Sequence, residues 1–175
     1  LPKGVGLEIP AGVTLRFSPE ARILARGPLN FNGTEQHPIT LTSLDESQTW
    51  QGVVVLQSQQ PVRWRYVNIH NTNGHNLPDW SLTGSVTFFK SIVDLDHVTM
   101  TQNHSEDAMN AVHCRVRFRY LSIENTHSDA FDSDFSHVEI SDSTFWGIGG
   151  DARRIRGNDL GAHKIKTEKG QEKGF

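Results

Sequence analysis

Asp-Ala recurs three times at an interval of 22 residues, at Asp107-Ala108, Asp129-Ala130 and Asp151-Ala152. Beside it runs a strand pattern on nearly the same period: Val93, Leu95, Val98, Met100; then Val116, Phe118, Leu121, Ile123; then Val138, Ile140, Phe145. Apolar residues at alternate positions make one face of a strand. A fixed period with that alternation inside each unit predicts coils stacked on one another and not a folded-back globule. Val62, Trp64, Val67 and Ile69 match the first of these sets at a longer step, and the extra residues fall in Asn71–Thr83, rich in Gly, Asn, Pro and Asp. An insertion in one repeat is expected to leave the stack as a surface loop.

Upstream, Val13, Leu15 and Phe17 alternate, as do Leu29 with Phe31 and Ile39 with Leu41. Pro10-Ala11-Gly12, Gly27-Pro28 and Asn32-Gly33-Thr34 punctuate them. No helical periodicity of any length is present. Hydrophobic residues make up 35% of the chain, low for a two-layer fold and suited to a narrow core with much solvated surface.

The stretch PAGVTLRFSPEARILARGPLNFNGTEQHPITLTS, residues 10–43, resembles the opening coils of bacterial secreted right-handed parallel β-helix proteins. Its PAGVTL turn-strand, NGT turn and PITLTS strand carry the resemblance, and residues 93–152 resemble the central coils of the same pectin-lyase-like superfamily. The fold this implies is all-β: a single-stranded right-handed parallel β-helix, a solenoid of about five to six coils over residues 1–152. The superfamily includes lyases, hydrolases, epimerases and non-catalytic surface proteins, so architecture does not fix activity. The resemblance implies an extracellular or cell-surface location and a polysaccharide or cell-surface glycan as partner.

Charge narrows the partners. A formal net charge of −3 gives no general attraction to nucleic acid, and an acidic central surface argues against it. No run of 18 apolar residues exists to span a membrane. Cys114 is the only cysteine, so neither a disulfide framework nor a cysteine zinc site is expected. Starting at Leu1, the chain reads as part of a longer protein, with any export signal outside it.

The sharpest charge feature is acidic. Between Tyr120 and Ala152 there is no Lys or Arg, and Glu124, Asp129, Asp132, Asp134, Glu139, Asp142 and Asp151 all lie there. Asp107, Asp129 and Asp151 should share a column with neighbours ~5 Å apart. Three roles are open to them. They can close corners as Asx-turns. Asp129, Asp132 and Asp134 can offer oxygens to Ca²⁺. Asp107, Asp129, Asp132, Asp134 and Asp151 can act as catalytic carboxylates, since stacked coils supply the separations glycosidases use. His104 and His127 recur beside the Asp column, as surface turn residues or as substrate-binding and general-base groups. Trp50 and Trp80 are placed in loops, where rings stack on sugars or cover apolar edges.

A second column, Arg63, Asp94, Arg117 and Glu139, alternates in sign and reads as a ladder of ion pairs between coils. Residues 153–175 turn basic and lose the apolar pattern after Ile165, as a terminal partial coil, cap or disordered tail. Continuing the register sets Arg154 against Asp132 and Arg156 against Asp134, where they would neutralise the acidic surface or hold a uronate. Two functions follow. One is a non-catalytic extracellular or cell-surface module, binding glycan or spacing a longer protein, with no cofactor required. The alternative is a polysaccharide lyase or glycoside hydrolase on acidic polysaccharide, assisted by Ca²⁺, with Trp80 in substrate binding.

Overall fold

The computed structural model describes residues 1–75 and 82–152, and the backbone of residues 154–156, 160–163 and 166–169. The described residues form strands and no helix. In chain order these are β1 (Leu7–Pro10), β2 (Thr14–Phe17), β3 (Arg22–Ala25), β4 (Leu29–Asn32), β5 (Ile39–Ser43) and β6 (Gly52–Leu56). Then come β7 (Val62–His70), β8 (Gly84–Phe89), β9 (Ile92–Asn103), β10 (Asp107–Val112), β11 (Arg115–Thr126) and β12 (Asp129–Asp134). The series closes with β13 (His137–Ser141), β14 (Thr144–Ile148), β15 (Arg154–Arg156), β16 (Leu160–His163) and β17 (Lys166–Lys169).

Every named pairing is parallel. One sheet follows the order β1-β4-β7-β9-β11-β13-β16, with β2, β5, β14 and β17 joined beside that path; the other runs β15-β12-β10-β8-β6-β3. The pairings obey the sequence period: Val62 faces Val93, Val93 faces Val116, Val116 faces Val138, and Val138 faces Leu160. Each strand thus bonds to its counterpart one repeat away, and equivalent residues form columns at ~4.8 Å.

Alternation decides which columns are interior. Val93, Leu95, Val116, Phe118, Val138 and Ile140 are all buried, Phe118 completely. Their cluster also takes Val86, Phe88, Met109 and Phe131 from the second sheet. Phe118 meets Phe131 edge-on at 5.2 Å, and Trp64 meets Phe88 at 5.4 Å. Both contacts join one sheet to the other.

Three columns of residues hold left-handed backbone, the first two largely within β7, β9, β11 and β14 and the third between strands. They are Tyr66, His97, Tyr120 and Asp142; Asn71, Gln102, Asn125 and Gly147; and Gln57, Lys90, His113 and Phe135. Only one of these twelve positions is glycine.

Of the two roles open to Trp50, covering apolar edges is the one it takes. Trp50 is fully buried: it stacks on Phe17 at 4.2 Å and its Nε1 donates to the His70 carbonyl at 2.8 Å. The aromatic surface it covers outweighs its loop position. The segment Asn71–Thr83 does not leave the core at its first residue. Asn71 and Thr72 are buried, and Thr72 bridges to Trp50. Residues 76–81, with Trp80, lie outside the described residues. At the other end, Lys166–Lys169, expected to lack regular structure, pairs as a strand with β14.

Candidate functional site

Asp107 and Asp129 face each other in neighbouring strands, which places two carboxylates on adjacent steps of one column. Both are buried, with exposures of 2% and 4%. The Asp129 Oδ1 accepts the Asp151 backbone N–H at 2.7 Å, so the bond runs to the next repeat and not to a local turn. A Cβ on Gly150 would come within 2.2 Å of that oxygen. Glycine there is what lets the backbone reach the carboxylate. The Asp151 side chain itself is exposed.

Asp107 sits against Thr83 and Asn110, whose Nδ2 is 3.4 Å from its Oδ2. Burial, opposed by the Thr83 hydrogen bond and joined by the negative charges of Asp132, Asp129 and Glu106, pushes the Asp107 carboxyl up to about 6. Asp132 lies one step along from Asn110 and its Oδ1 accepts the Ser133 N–H at 2.9 Å. Asp134 is half-buried beside Val112 in register. In the backbone register Arg154 faces Asp132 and Arg156 faces Asp134. Among the described residues, no three His, Cys, Asp or Glu side chains converge as a metal-binding group. The expected oxygens Asp129 and Asp132 each accept a backbone N–H, while Asp134 stands further along the strand.

His104 and His127 are exposed and adjacent in the ladder. The His104 N–H donates to the Thr72 carbonyl and the His127 N–H to the Asn103 carbonyl, each at 2.8 Å. The acidic column, with its flanking histidines, is therefore assembled as the period implies, but Asp129 accepts a backbone N–H, Asp107 meets the Thr83 and Asn110 side chains, and only Asp151 faces outward.

The outward face of β7, β9, β11 and β13 carries the mixed-charge column. Arg63, Asp94, Arg117 and Glu139 are in register. The ion pair that forms is Arg117 with Asp94 at 2.6 Å. Burial raises the Asp94 carboxyl, but the Arg117 hydrogen bond and the charges of Arg117, Arg119 and Arg65 outweigh it and hold the group below its ordinary value. A second, tighter column lies two residues along: Asp96 binds Arg65 at 2.8 Å, Arg119 at 2.5 Å and the His97 Nδ1 at 2.7 Å. It repeats at the same steps as the first, so the signal was present in residues 65, 96 and 119.

Next to it, the rings of Tyr66, His97 and Tyr120 stack with centroids 4.4 Å apart at each step. They border an open depression of about 330 Å³ with Glu35, Asn68 and Thr99. The three rings lie at left-handed positions within β7, β9 and β11, where the strand alternation breaks, and so fall outside the apolar pattern of the sequence. No protein-family model, curated protein or solved structure matches the chain.

Proposed function

We propose that this chain is a right-handed parallel β-helix module of the pectin-lyase-like type, at the cell surface or outside the cell, without catalytic activity, that contacts glycan. The observation that carries this reading is the burial of the Asp column. Asp107 and Asp129 are 2% and 4% exposed, and an Asp129 oxygen is committed to backbone. Carboxylates so placed build corners and cannot reach a polymer chain. The parallel pairing at a constant register supports the helix, since each coil of such a fold adds one strand to each sheet.

Glycan contact falls at the depression beside Tyr66, His97 and Tyr120. Asn68, Thr99 and Glu35 present polar groups there and the ring edges present apolar ones, a mixture suited to sugar hydroxyls and ring C–H faces. Affinity electrophoresis against neutral and acidic polysaccharides tests this. Retardation that Tyr120→Ala removes is expected; retardation that survives it overturns the placement.

The second reading, a lyase or hydrolase on acidic polysaccharide, rests on Asp107 being held near 6 beside Asp129 and Asp132. Such splitting is how two carboxyls become acid and base. Uronic-acid polymers incubated with and without Ca²⁺ decide between the two. Unsaturated product or new reducing ends, abolished by Asp107→Asn, would make the chain an enzyme.

A further inference from the structure

The edge where the second sheet gives way to the first gathers cations without partners and apolar side chains without cover. Its turn column is Gln57, Lys90, His113 and Phe135. Phe135 is 64% exposed, and Ile92, two residues beyond Lys90, is 50% exposed. Phe89 is half-buried, with the Lys90 Nζ 5.1 Å from its ring centroid, and His113 stacks on Phe135 at 5.1 Å. Arg115 stands beside Ile92 in register.

Two shallow depressions flank this edge. One, of about 320 Å³, is lined by Lys3, Arg26 and Lys90; the other, of about 410 Å³, by Arg63, Ile92, Arg115 and Arg117. Arg117 is paired with Asp94. Lys3, Arg26, Arg63, Lys90 and Arg115 are in no ion pair among the described residues. The carboxylates nearby are Asp94, Asp134 and Glu139. Elsewhere the same sheet neutralises its arginines, with Arg65 and Arg119 both held on Asp96. Five of the described cations outside ion pairs thus gather at this edge, in a chain whose net charge is −3.

We infer that this edge docks on an anionic phospholipid surface. Cations at the headgroups and apolar side chains at the acyl boundary are the two requirements of peripheral binding. Phe135, Ile92 and Phe89 meet the second, and Lys90, Arg115, Arg63, Lys3 and Arg26 the first. A soluble polyanion would use the cations and leave Phe135 and Ile92 in water.

Co-sedimentation with vesicles tests the inference, comparing phosphatidylcholine alone with phosphatidylcholine containing phosphatidylglycerol. Binding is expected only with the anionic lipid and should fall as salt rises. Lys90→Gln and Arg115→Gln should each weaken it about fivefold. Phe135→Ser with Ile92→Ser should weaken it further, whereas Trp146→Ser, an exposed ring in β14 away from this edge, should not. Circular dichroism melts of each variant separate lost binding from lost fold. Equal binding to both vesicles, no binding to either, or retention on heparin that depends on Lys90 and Arg115 without vesicle binding would overturn it.

Discussion

Phe118 shows what one residue does in this core. It is fully buried and reaches across to Phe131 in the other sheet. Phe118→Ala should cost about 3–5 kcal/mol in denaturant melts through the cavity it leaves. A loss under about 1 kcal/mol would place the side chain in solvent and put the register out by one. Gly147 makes a different point. Its φ is +64° and a Cβ would lie 2.7 Å from the Asn125 Oδ1, so Gly147→Ala should destabilise by about 1–2 kcal/mol, read as a lower melting temperature. Asp107 links the fold to pH. Its folded pKa of about 6 lies above the ordinary carboxyl value of 3.8. Between those values the folded state keeps a proton that the unfolded chain releases, so this group's stabilisation is complete below about pH 4 and is lost as pH rises through 6. His75 has the opposite sign: burial lowers it from 6.5 to about 4, so its contribution grows as pH rises across much of the same window. Asp107→Asn should therefore remove a stability loss of up to about 3 kcal/mol between pH 4 and 6.5. The difference between the two proteins' melting curves isolates it from His75.

Among the elements, β9 and β11 show why some of this was legible in the chain and some was not. Their inward residues Val93, Leu95, Val116 and Phe118 alternate on a fixed period, and hydrophobic patterning reports burial directly. The pairing of Arg117 with Asp94 followed from the same register. Arg63 shows where that logic stops. It shares the column with Asp94, but a column position does not say which of two arginines a carboxylate will take. The bends inside β7, β9 and β11 left no trace, because Tyr66, His97 and Tyr120 adopt positive φ without the glycine that usually marks it. The Asp column was visible as a repeat, while the direction of its hydrogen bonds was not. Asp129 reaches the Asp151 N–H only because strands from separate repeats lie side by side. At this scale Asp96 holds three charged or ring groups, Arg65, Arg119 and His97. Asp96→Asn leaves two arginines on either side of a neutral amide, two steps apart. It should cost about 1–3 kcal/mol, more than Asp94→Asn, which frees only Arg117. Equal losses in paired denaturant melts would mean the two columns are energetically alike.

For the whole molecule, parallel pairing distributes order from one strand to the next, and the edges are where it ends. β1, β2 and β3 form one edge, with Leu7, Leu15, Phe17 and Ile23 only partly buried against the core. At the other, β15 pairs with β12 through Asp132, Ser133 and Asp134. Removing residues 153–175 should leave the far-UV circular dichroism of a β protein and strip hydrogen-exchange protection from β12 and β13. Unchanged protection in β12 would show that β15 adds nothing to it. Local opening of this kind follows the number of neighbours a strand retains.

The turn columns carry a consequence for how such a chain can vary. Tyr, His, Asp, Asn, Gln, Lys and Phe all occupy left-handed positions in the three columns, so the backbone path tolerates very different side chains at the same station. At the exposed stations Tyr120 and Phe135 a mutation changes what the outside presents and leaves the interior untouched. Descent can therefore write new surfaces onto a constant frame, one corner at a time. Neighbouring corners stack, as Tyr66, His97 and Tyr120 do, and a ring gained at one station gives the next a reason to become aromatic too.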